Sequence, residues 1–278
     1  MTNDKNITPL VLSQKRKPGG AFFSLQYPPP GGRGALSSTY FGPVQWYQKL
    51  NRHEKCYIEQ WDSFVKQTYR NRCVIATANG LQALTVPTER PAGSGKILMK
   101  DIRISDHGNW RHLHWNALLS AYGESPFFIY YADDIRPFFE KRWEYLFDFN
   151  MAITETMCGL LDIRPNLSAT TEYVKEPGEG ITDYREMIRP KHPLPDNDFT
   201  PRRYYQVYER KIGFQPNLSI LDLLFNMGNE SILFLSPNGR LTSPKGKKYR
   251  ATDILPSAAL YFFISQNTLC LYIIYTLL

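Results

Sequence analysis

Three cations, Lys66, Arg70 and Arg72, mark the segment of this 278-residue sequence that could hold an anion. Side chains alternate along an extended strand, so an extended segment would place all three on one face. Such close cations repel one another unless an anion or carboxylates lie between them, and arginine's planar guanidinium suits a phosphate or carboxylate. The pattern is equally typical of a solvated edge strand. The same cations could also form ion pairs with Glu59, Asp62 or Asp101.

Two other side chains are candidates for acid–base chemistry. Asp222 lies in an otherwise apolar run, residues 218–225, and a buried carboxylate is costly unless it is paired. It could pair with an arginine of the cationic segment or orient His114. His112 and His114 would point about 200° apart on one helix, so we expect no metal site there. The alternative for His114 is a half-buried structural histidine.

Composition excludes several classes of function. The net charge of +7 is concentrated at the two ends, which leaves −1 for residues 38–235. A nucleic-acid-binding face needs cations spread over a folded surface, so we expect no nucleic-acid partner. No glycine-rich dinucleotide loop, Walker loop or nucleophile elbow occurs, and we expect no bound cofactor.

The expected compartment is the cytoplasm. Residues 1–8 are polar and lack the apolar core of a signal peptide. Free thiols in a reducing compartment are the favoured interpretation of the four scattered cysteines, Cys56, Cys73, Cys158 and Cys270. Residues 257–278 carry no charge and could span a bilayer, but polar residues 265–268 interrupt them. Membrane contact is therefore expected only through residues 257–278.

The elements that must position these residues have recognisable boundaries. Asn79-Gly80 predicts a type I′ turn between strands at 72–77 and 81–86. Asn109 and Gly123 predict the start and end of a helix at 110–122, and a capped helix is predicted at 219–226. The other predicted elements are a helix at 43–50, strands at 56–59, 101–105 and 204–208, and a helical stretch at 138–161 broken near Asp148.

Composition also divides the chain into a core and two flanks. Residues 1–13 form a first strand region, and the Pro/Gly-rich residues 14–35 form either an insertion that loops out of the fold or a flexible segment. Residues 36–235 are predicted to form a single α/β domain, a mixed sheet flanked by helices. The basic and then apolar residues 236–278 are expected to add little to its core.

Five segments of the core carry a resemblance to a known family. They are SSTYFGP at 37–43, FVKQTYRNR at 64–72, WRHLHW at 110–115, AYGESPFF at 121–128 and PNLSILDLLFN at 216–226. They resemble the WbqC-like protein family, which is associated with surface-polysaccharide gene clusters. That family commonly has His-Gln-Pro after its first strand. Here TYFGP at 39–43 stands in that place, so no role of that histidine is transferred.

The resemblance implies a transferase-like enzyme of surface-polysaccharide (O-antigen-type) or related glycan biosynthesis. Its substrate would be phosphorylated, nucleotide-linked or carrier-linked. Acid–base or orienting roles are expected at His114 and Asp222, and substrate binding at Lys66, Tyr69, Arg70, Asn71, Arg72 and Asn217. The alternative is a non-catalytic accessory or scaffold protein of a glycan-assembly pathway. A concave pocket lined by Lys66, Arg70 and Asp222 would favour the enzyme, and a flat exposed aromatic patch the accessory protein.

Overall fold

The computed structural model of the chain describes residues 32–89 and 95–236, and the backbone of residues 240–242 and 248–250. The strands are β1 (Arg33–Ser37), β2 (Lys55–Glu59), β3 (Arg72–Thr77), β4 (Gly80–Thr85), β5 (Leu167–Ala169), β6 (Ile181–Asp183), β7 (Arg240–Thr242) and β8 (Lys248–Arg250). The helices are α1 (Val44–Arg52), α2 (Trp110–Tyr122), α3 (Phe128–Ile135), α4 (Pro137–Glu140), α5 (Leu146–Leu160), α6 (Glu209–Ile212), α7 (Ile220–Met227) and α8 (Ser231–Leu235). This arrangement confirms the predicted α/β class, with helices around a parallel sheet and a small antiparallel hairpin.

The parallel sheet is the framework of the domain. Its strand order is β5-β2-β1-β6, and all three pairings are parallel, so the carboxyl ends of the four strands lie along one edge. Along the chain, β2 and then β5 are added on one side of β1, and β6 is added later on the other side of β1. In open α/β sheets ligands bind outside the carboxyl ends of the strands where the order reverses, which here is the gap between β1 and β6.

The central strand of this sheet contradicts a prediction. Residues 33–35, expected within the looped-out segment 14–35, belong to β1 and lie between β2 and β6. Gly34 serves packing rather than a turn. A Cβ at this position would lie 3.1 Å from Cδ2 of His53 and 3.4 Å from the ring of Tyr184. The domain therefore begins before the predicted boundary, and Gly34 leaves room for the two rings that pack against β1.

Several predicted segments lie outside the described residues. These are residues 1–31, with the predicted first strand region, and the tail after residue 236 except for β7 and β8. Within the described part of the chain, no helix is both long enough and apolar enough to cross a membrane. The apolar run at 257–278 lies outside that part.

β3 and β4 form the predicted hairpin, but its turn differs from the predicted type. Thr77 pairs with Gly80, so Ala78 and Asn79 are the central turn residues. Of Asn79 and Gly80, only Gly80 has a positive φ, 112°. A type I′ turn needs positive φ at both central positions, so the predicted turn type is wrong. Gly80 instead lies directly after the two central turn residues, as the first residue of β4.

Two predicted helices are present within one residue of their predicted bounds. α2 begins after Asn109 and ends before Gly123. Helix α7 begins after Ser219, whose hydroxyl accepts a hydrogen bond from the backbone N–H of Leu221 at 3.4 Å. This N-cap satisfies a donor that the first turn of a helix otherwise leaves unpaired.

Two predicted strands are not strands. Residues 101–105 contribute only isolated bridges, one of which joins Arg103 to Tyr145. Residues 204–208 are irregular, and the side chains of Tyr204 and Gln206 contact Asp222 on α7. The predicted break in the long helical stretch exists, but it lies at 141–145, between α4 and α5.

Aromatic side chains form much of the core. They contact one another in edge-on and stacked pairs, such as Tyr40 with Phe149 at 5.7 Å between ring centroids. The largest fully buried aromatic side chains are Trp46, Tyr40, Tyr47, Tyr122, Tyr184, Phe41, Phe149 and Phe225. The high aromatic content of the sequence is thus largely accounted for by packing within the domain.

Candidate functional site

The predicted cationic strand is a series of turns. Residues 66–71 have turn geometry, and Gln67 has left-handed backbone angles with φ 60°. The predicted alternation is therefore wrong, and the three cations lie in different surroundings. Lys66 is exposed, Arg70 is buried, and Arg72 is half-buried at the start of β3.

Arg70 lies at the carboxyl edge of the parallel sheet. Its Nη2 forms an ion pair with Asp62, three residues beyond the end of β2. The Asn150 amide donates to the Arg70 backbone oxygen at 2.8 Å and to the Ser38 hydroxyl at 3.2 Å. Burial raises the pKa of Asp62, although Arg70 acts in the opposite direction. The ion pair with Asp62 was one of the alternatives left open by the sequence.

A second buried arginine, which no local pattern marked, lies just after β6. Arg185 donates from Nη1 to Glu59 at 3.2 Å and from Nη2 to Asp183 at 2.7 Å. It also donates to the backbone oxygens of Val174 at 2.7 Å and Lys175 at 3.1 Å. Hydrogen bonding to Asp183 raises the pKa of Arg185. This side chain therefore connects β2, β6 and the loop between β5 and β6.

Both arginines line one pocket, here called the carboxyl-edge pocket. It contains about 250 Å³ of non-atom space, its open mouth included. Its lining residues are Ser37, Ser38, Thr39, Trp46, Thr68, Tyr69, Arg70, Tyr184, Arg185 and Ile188. They come from the ends of β1 and β6, from α1 and from the 66–71 turns. The pocket therefore occupies the place where the strand order reverses.

Buried polar atoms in this pocket lack partners. Ser37 Oγ and Arg70 Nε are buried and make no hydrogen bond within the described residues. Asp62 Oδ1, behind the Arg70 ion pair, is in the same state. Each such atom costs about 1–3 kcal/mol. A bound molecule that accepts from the two donors would remove part of this cost.

The two arginines of the pocket are paired with three carboxylates, which gives the group a formal charge of −1. Asp62 neutralises Arg70, while Glu59 and Asp183 neutralise Arg185. These carboxylates also fix the two guanidinium groups in position. Lys66, two residues before the pocket-lining Thr68, is exposed, has no ion pair within the described residues and is not among the lining residues.

Asp222 lies in a different part of the core from its predicted partners. It accepts hydrogen bonds from the hydroxyls of Tyr122 at 2.8 Å and Tyr204 at 2.7 Å, and from the Gln206 amide at 3.0 Å. Burial raises the pKa of Asp222 to about 6. Within the described residues, no hydrogen bond or ion pair joins it to His114 or to the arginines. Its contacts connect α7 to α2 and to residues 204–206.

His114 is enclosed by aromatic rings. Its Nδ1 forms a hydrogen bond with the Tyr40 hydroxyl at 2.9 Å, and the Trp110 ring lies 5.2 Å away. Burial lowers the pKa of His114 to about 4, so the imidazole is neutral at pH 7. These are the contacts of a structural histidine, the alternative that the sequence left open. A catalytic role for His114 stays a prediction.

The titration of His114 yields a test of its burial. A histidine whose pKa is lowered in the folded chain contributes its full stability at a pH above the ordinary histidine pKa of about 6.5. This contribution is lost as the pH falls, because the unfolded chain takes up the proton first. Relative to His114→Gln, the wild-type chain should therefore lose about 2 kcal/mol of unfolding free energy between pH 7 and pH 4.5. Urea unfolding at the two pH values measures this difference. Parallel pH profiles would show that the imidazole is solvated.

The two predicted asparagines have local structural contacts. Asn217 accepts from the backbone N–H of Gln45 at 2.9 Å and donates to its side-chain oxygen at 3.0 Å, which fixes the start of α1. Asn71 donates to the backbone oxygen of Val86 at 3.0 Å. Of the predicted binding residues, Tyr69 and Arg70 line the carboxyl-edge pocket. Arg72 instead donates to the Thr85 hydroxyl at 2.8 Å.

Within the described residues, no cluster of side chains supports metal or thiol chemistry. There, no three His, Cys, Asp or Glu side chains lie close enough together to hold a metal ion. Cys56, Cys73 and Cys158 are buried and form no disulfide. Burial raises the pKa of Cys73 to about 12, so its thiol stays protonated.

Comparison with known proteins locates the shared region. The family model described as the WbqC-like protein family matches residues 38–189. An uncharacterized protein of Mycobacterium tuberculosis is 30% identical over 195 residues, which cover 60% of this chain and 81% of that protein. No solved structure matches. Every residue of the carboxyl-edge pocket except Ser37 lies inside the family match, whereas Asp222 lies outside it.

Proposed function

The chain belongs to the WbqC-like protein family, and on that premise we propose a transferase-like enzyme of surface-polysaccharide or related glycan biosynthesis. Its substrate is phosphorylated, nucleotide-linked or carrier-linked, and a phosphoryl group binds in the carboxyl-edge pocket. One observation carries this proposal. Arg70, Arg185 and the unpartnered Ser37 hydroxyl line the same pocket where the strand order of a parallel sheet reverses.

The chemistry of the lining residues supports a phosphoryl ligand. Arg70 Nε and Ser37 Oγ can both donate to a phosphoryl oxygen, and hydrogen bonds to charged groups contribute about 1.5–3 kcal/mol each. Lys66 is exposed and lies two residues before the pocket-lining Thr68. The carboxyl ends of parallel strands are also the usual position for such ligands.

Asp62 is the proposed general base. Transfer to a hydroxyl or amine acceptor needs a group that removes a proton, and Asp62 Oδ1 is buried without a partner beside pocket-lining Arg70. The pKa of this carboxyl is raised by burial, which makes it a stronger base than a solvated aspartate. In this proposal it replaces His114 and Asp222, whose contacts lie elsewhere.

Substitution of Arg70 tests the proposed site. We expect a thermal-shift screen of UDP-glucose, UDP-N-acetylglucosamine, dTDP-glucose and coenzyme A to identify a ligand that raises the melting temperature. Arg70→Gln should weaken its binding by about 10- to 100-fold, since a charge-assisted hydrogen bond is lost. Arg72→Gln is the matched control, because Arg72 lies outside the pocket, and it should change the Kd less than twofold. Titration calorimetry measures both.

Equal effects of the two substitutions would contradict the phosphoryl site. So would a ligand whose binding persists in Arg70→Gln. The melting temperature of each variant without ligand must be recorded as well, because Arg70 also pairs with buried Asp62.

An accessory or scaffold protein is the second candidate function. Ile129 and Tyr130, adjacent on α3, are 76% and 72% exposed, which favours a protein contact there. Against it, the large aromatic side chains are mostly buried, and none of the five tryptophans is among the exposed large hydrophobics of the described residues. A chain that binds none of the four screened ligands, and that loses a protein partner on Tyr130→Ser, would favour this alternative.

A further inference from the structure

A second pocket lies on the other side of α1 from the carboxyl-edge pocket. Val44 and Gln48 line it, whereas Trp46 lines the carboxyl-edge pocket. Positions i and i+4 share one face of a helix, and position i+2 points about 200° away. This second pocket, here called the aromatic pocket, has about 280 Å³ of non-atom space, its open mouth included. It is therefore a separate site.

Aromatic rings form the walls of the aromatic pocket. Tyr204 packs edge-on against Phe214 and Phe234, with ring centroids 5.6 Å away in both cases. The Tyr204 hydroxyl donates to Asp222, so the ring is held in place by a buried carboxylate. Such walls are apolar and rigid, and they suit a small apolar group.

One buried acceptor in this pocket has no partner. Gln48 is only 7% exposed, and its Oε1 makes no hydrogen bond within the described residues. The amides of neighbouring Asn217 and Gln45 donate elsewhere, Asn217 Nδ2 to Gln45 Oε1 at 3.0 Å and Gln45 Nε2 to Asp196 at 2.7 Å. A ligand in this pocket therefore gains most from presenting a single N–H or O–H donor to Gln48.

Charge near the pocket disfavours a cationic donor. The guanidinium of Arg202 lines the pocket, donates to the Leu233 backbone oxygen and lies 5.4 Å over the ring of Phe234. None of the pocket-lining residues is a carboxylate. An ammonium group would find no carboxylate in the lining to pair with. A neutral donor attached to a short apolar group fits the walls, the acceptor and the charge together.

We propose that the aromatic pocket binds a short acylamino group, with its amide N–H donating to Gln48 Oε1 and its acyl methyl packed among Tyr204, Phe214 and Phe234. This site is independent of the proposed phosphoryl site in the carboxyl-edge pocket. An N-acylated amino sugar and an N-acylated amino acid both present this chemistry.

Ligand selectivity of the full chain is the first test. By ligand-observed NMR titration, N-acetylglucosamine should bind with a Kd of millimolar order, as expected for a ligand of its size. Glucose and glucosamine, which replace the acetamido group by a hydroxyl and an ammonium, should bind at least about threefold more weakly. N-acetyl-L-alanine amide separates the two sources: tighter binding than N-acetylglucosamine assigns the site to an acylated amino acid.

Gln48→Met is the second test, since it keeps side-chain length and removes the acceptor. It should weaken binding of the preferred acylamino ligand by about three- to tenfold. It should also raise the melting temperature of the unliganded protein, because a buried acceptor without a partner is removed. A residue that only supports the fold would not combine these two changes.

Three results would overturn the proposal. They are equal binding of N-acetylglucosamine and glucose, unchanged binding in Gln48→Met, and a lower melting temperature of unliganded Gln48→Met. Arg70→Gln is the control for the other pocket and should leave acylamino binding unchanged. Acylamino binding that is lost in Arg70→Gln and kept in Gln48→Met would move the ligand to the carboxyl-edge pocket and also overturn the proposal.

Discussion

Asp222→Ala should reduce the free energy of unfolding by about 3–5 kcal/mol. The alanine leaves the hydroxyls of Tyr122 and Tyr204 and the amide of Gln206 without their shared acceptor in the core. In a domain of this size such a loss lowers the melting temperature by about 6–20 °C. Thermal and urea unfolding measure it. Asp133→Ala is the matched control, because this aspartate is exposed on α3, and it should have little effect.

The loss at Asp222 should depend on pH. Its pKa in the folded chain is raised to about 6, above the ordinary aspartate value of about 3.9. The protonated carboxyl therefore stabilises the fold most at low pH, and this contribution decreases as pH rises through about 6. The effect of Asp222→Ala should be larger at pH 5 than at pH 8. A variant that melts like the wild type but loses activity would instead assign Asp222 to catalysis.

Arg185→Met should destabilise the chain by about 3–5 kcal/mol, because breaking a buried ion pair leaves an uncompensated charge. Glu59 is 1% exposed and would be left without the guanidinium that faces it. Two backbone oxygens would lose their donor as well. Arg189→Met is the control: its ion pair with Glu186 is largely exposed, and its loss should cost less than about 1 kcal/mol.

A double-mutant cycle isolates the Glu59–Arg185 interaction. Arg185→Met leaves the Glu59 carboxylate without its ion-pair partner, and Glu59→Gln removes that charge. The double variant should therefore be more stable than the sum of the single effects indicates. The expected coupling is about 1–3 kcal/mol, the range for directly contacting residues. Additive effects in urea unfolding would show that the two side chains act independently.

Local sequence signals predicted much of the local structure. Asn109, Gly123 and Ser219 marked helix ends correctly, but only Ser219 makes the predicted capping hydrogen bond, since Asn109 makes none and Gly123 keeps right-handed backbone angles. The hairpin was found because glycine after a short polar turn is a local signal, although the turn type was not. β1 was missed because Arg-Gly in a Pro/Gly-rich stretch has a turn-like composition, while its strand character comes from two distant neighbours.

The site was only partly predictable. The charge of Arg70 marked it as a site residue. The predicted extended conformation of its segment was wrong, because Gln67 adopts left-handed backbone angles that begin a turn. Arg185 carries no local pattern at all. Its partner Glu59 lies on β2, and β6 is only three residues long, too short to show a periodicity. Contacts between strands that are distant in sequence form this pocket, and local composition does not indicate such contacts.

The position of β1 also affects how the chain is made. On the ribosome, β1 and β2 emerge early, but β6 begins only at residue 181. At about 5–20 residues per second, one side of β1 stays unpaired for roughly 6–25 s after β2 has been synthesised. An open strand edge invites pairing with other chains. Correct assembly of this sheet therefore depends on keeping nascent chains apart during that interval.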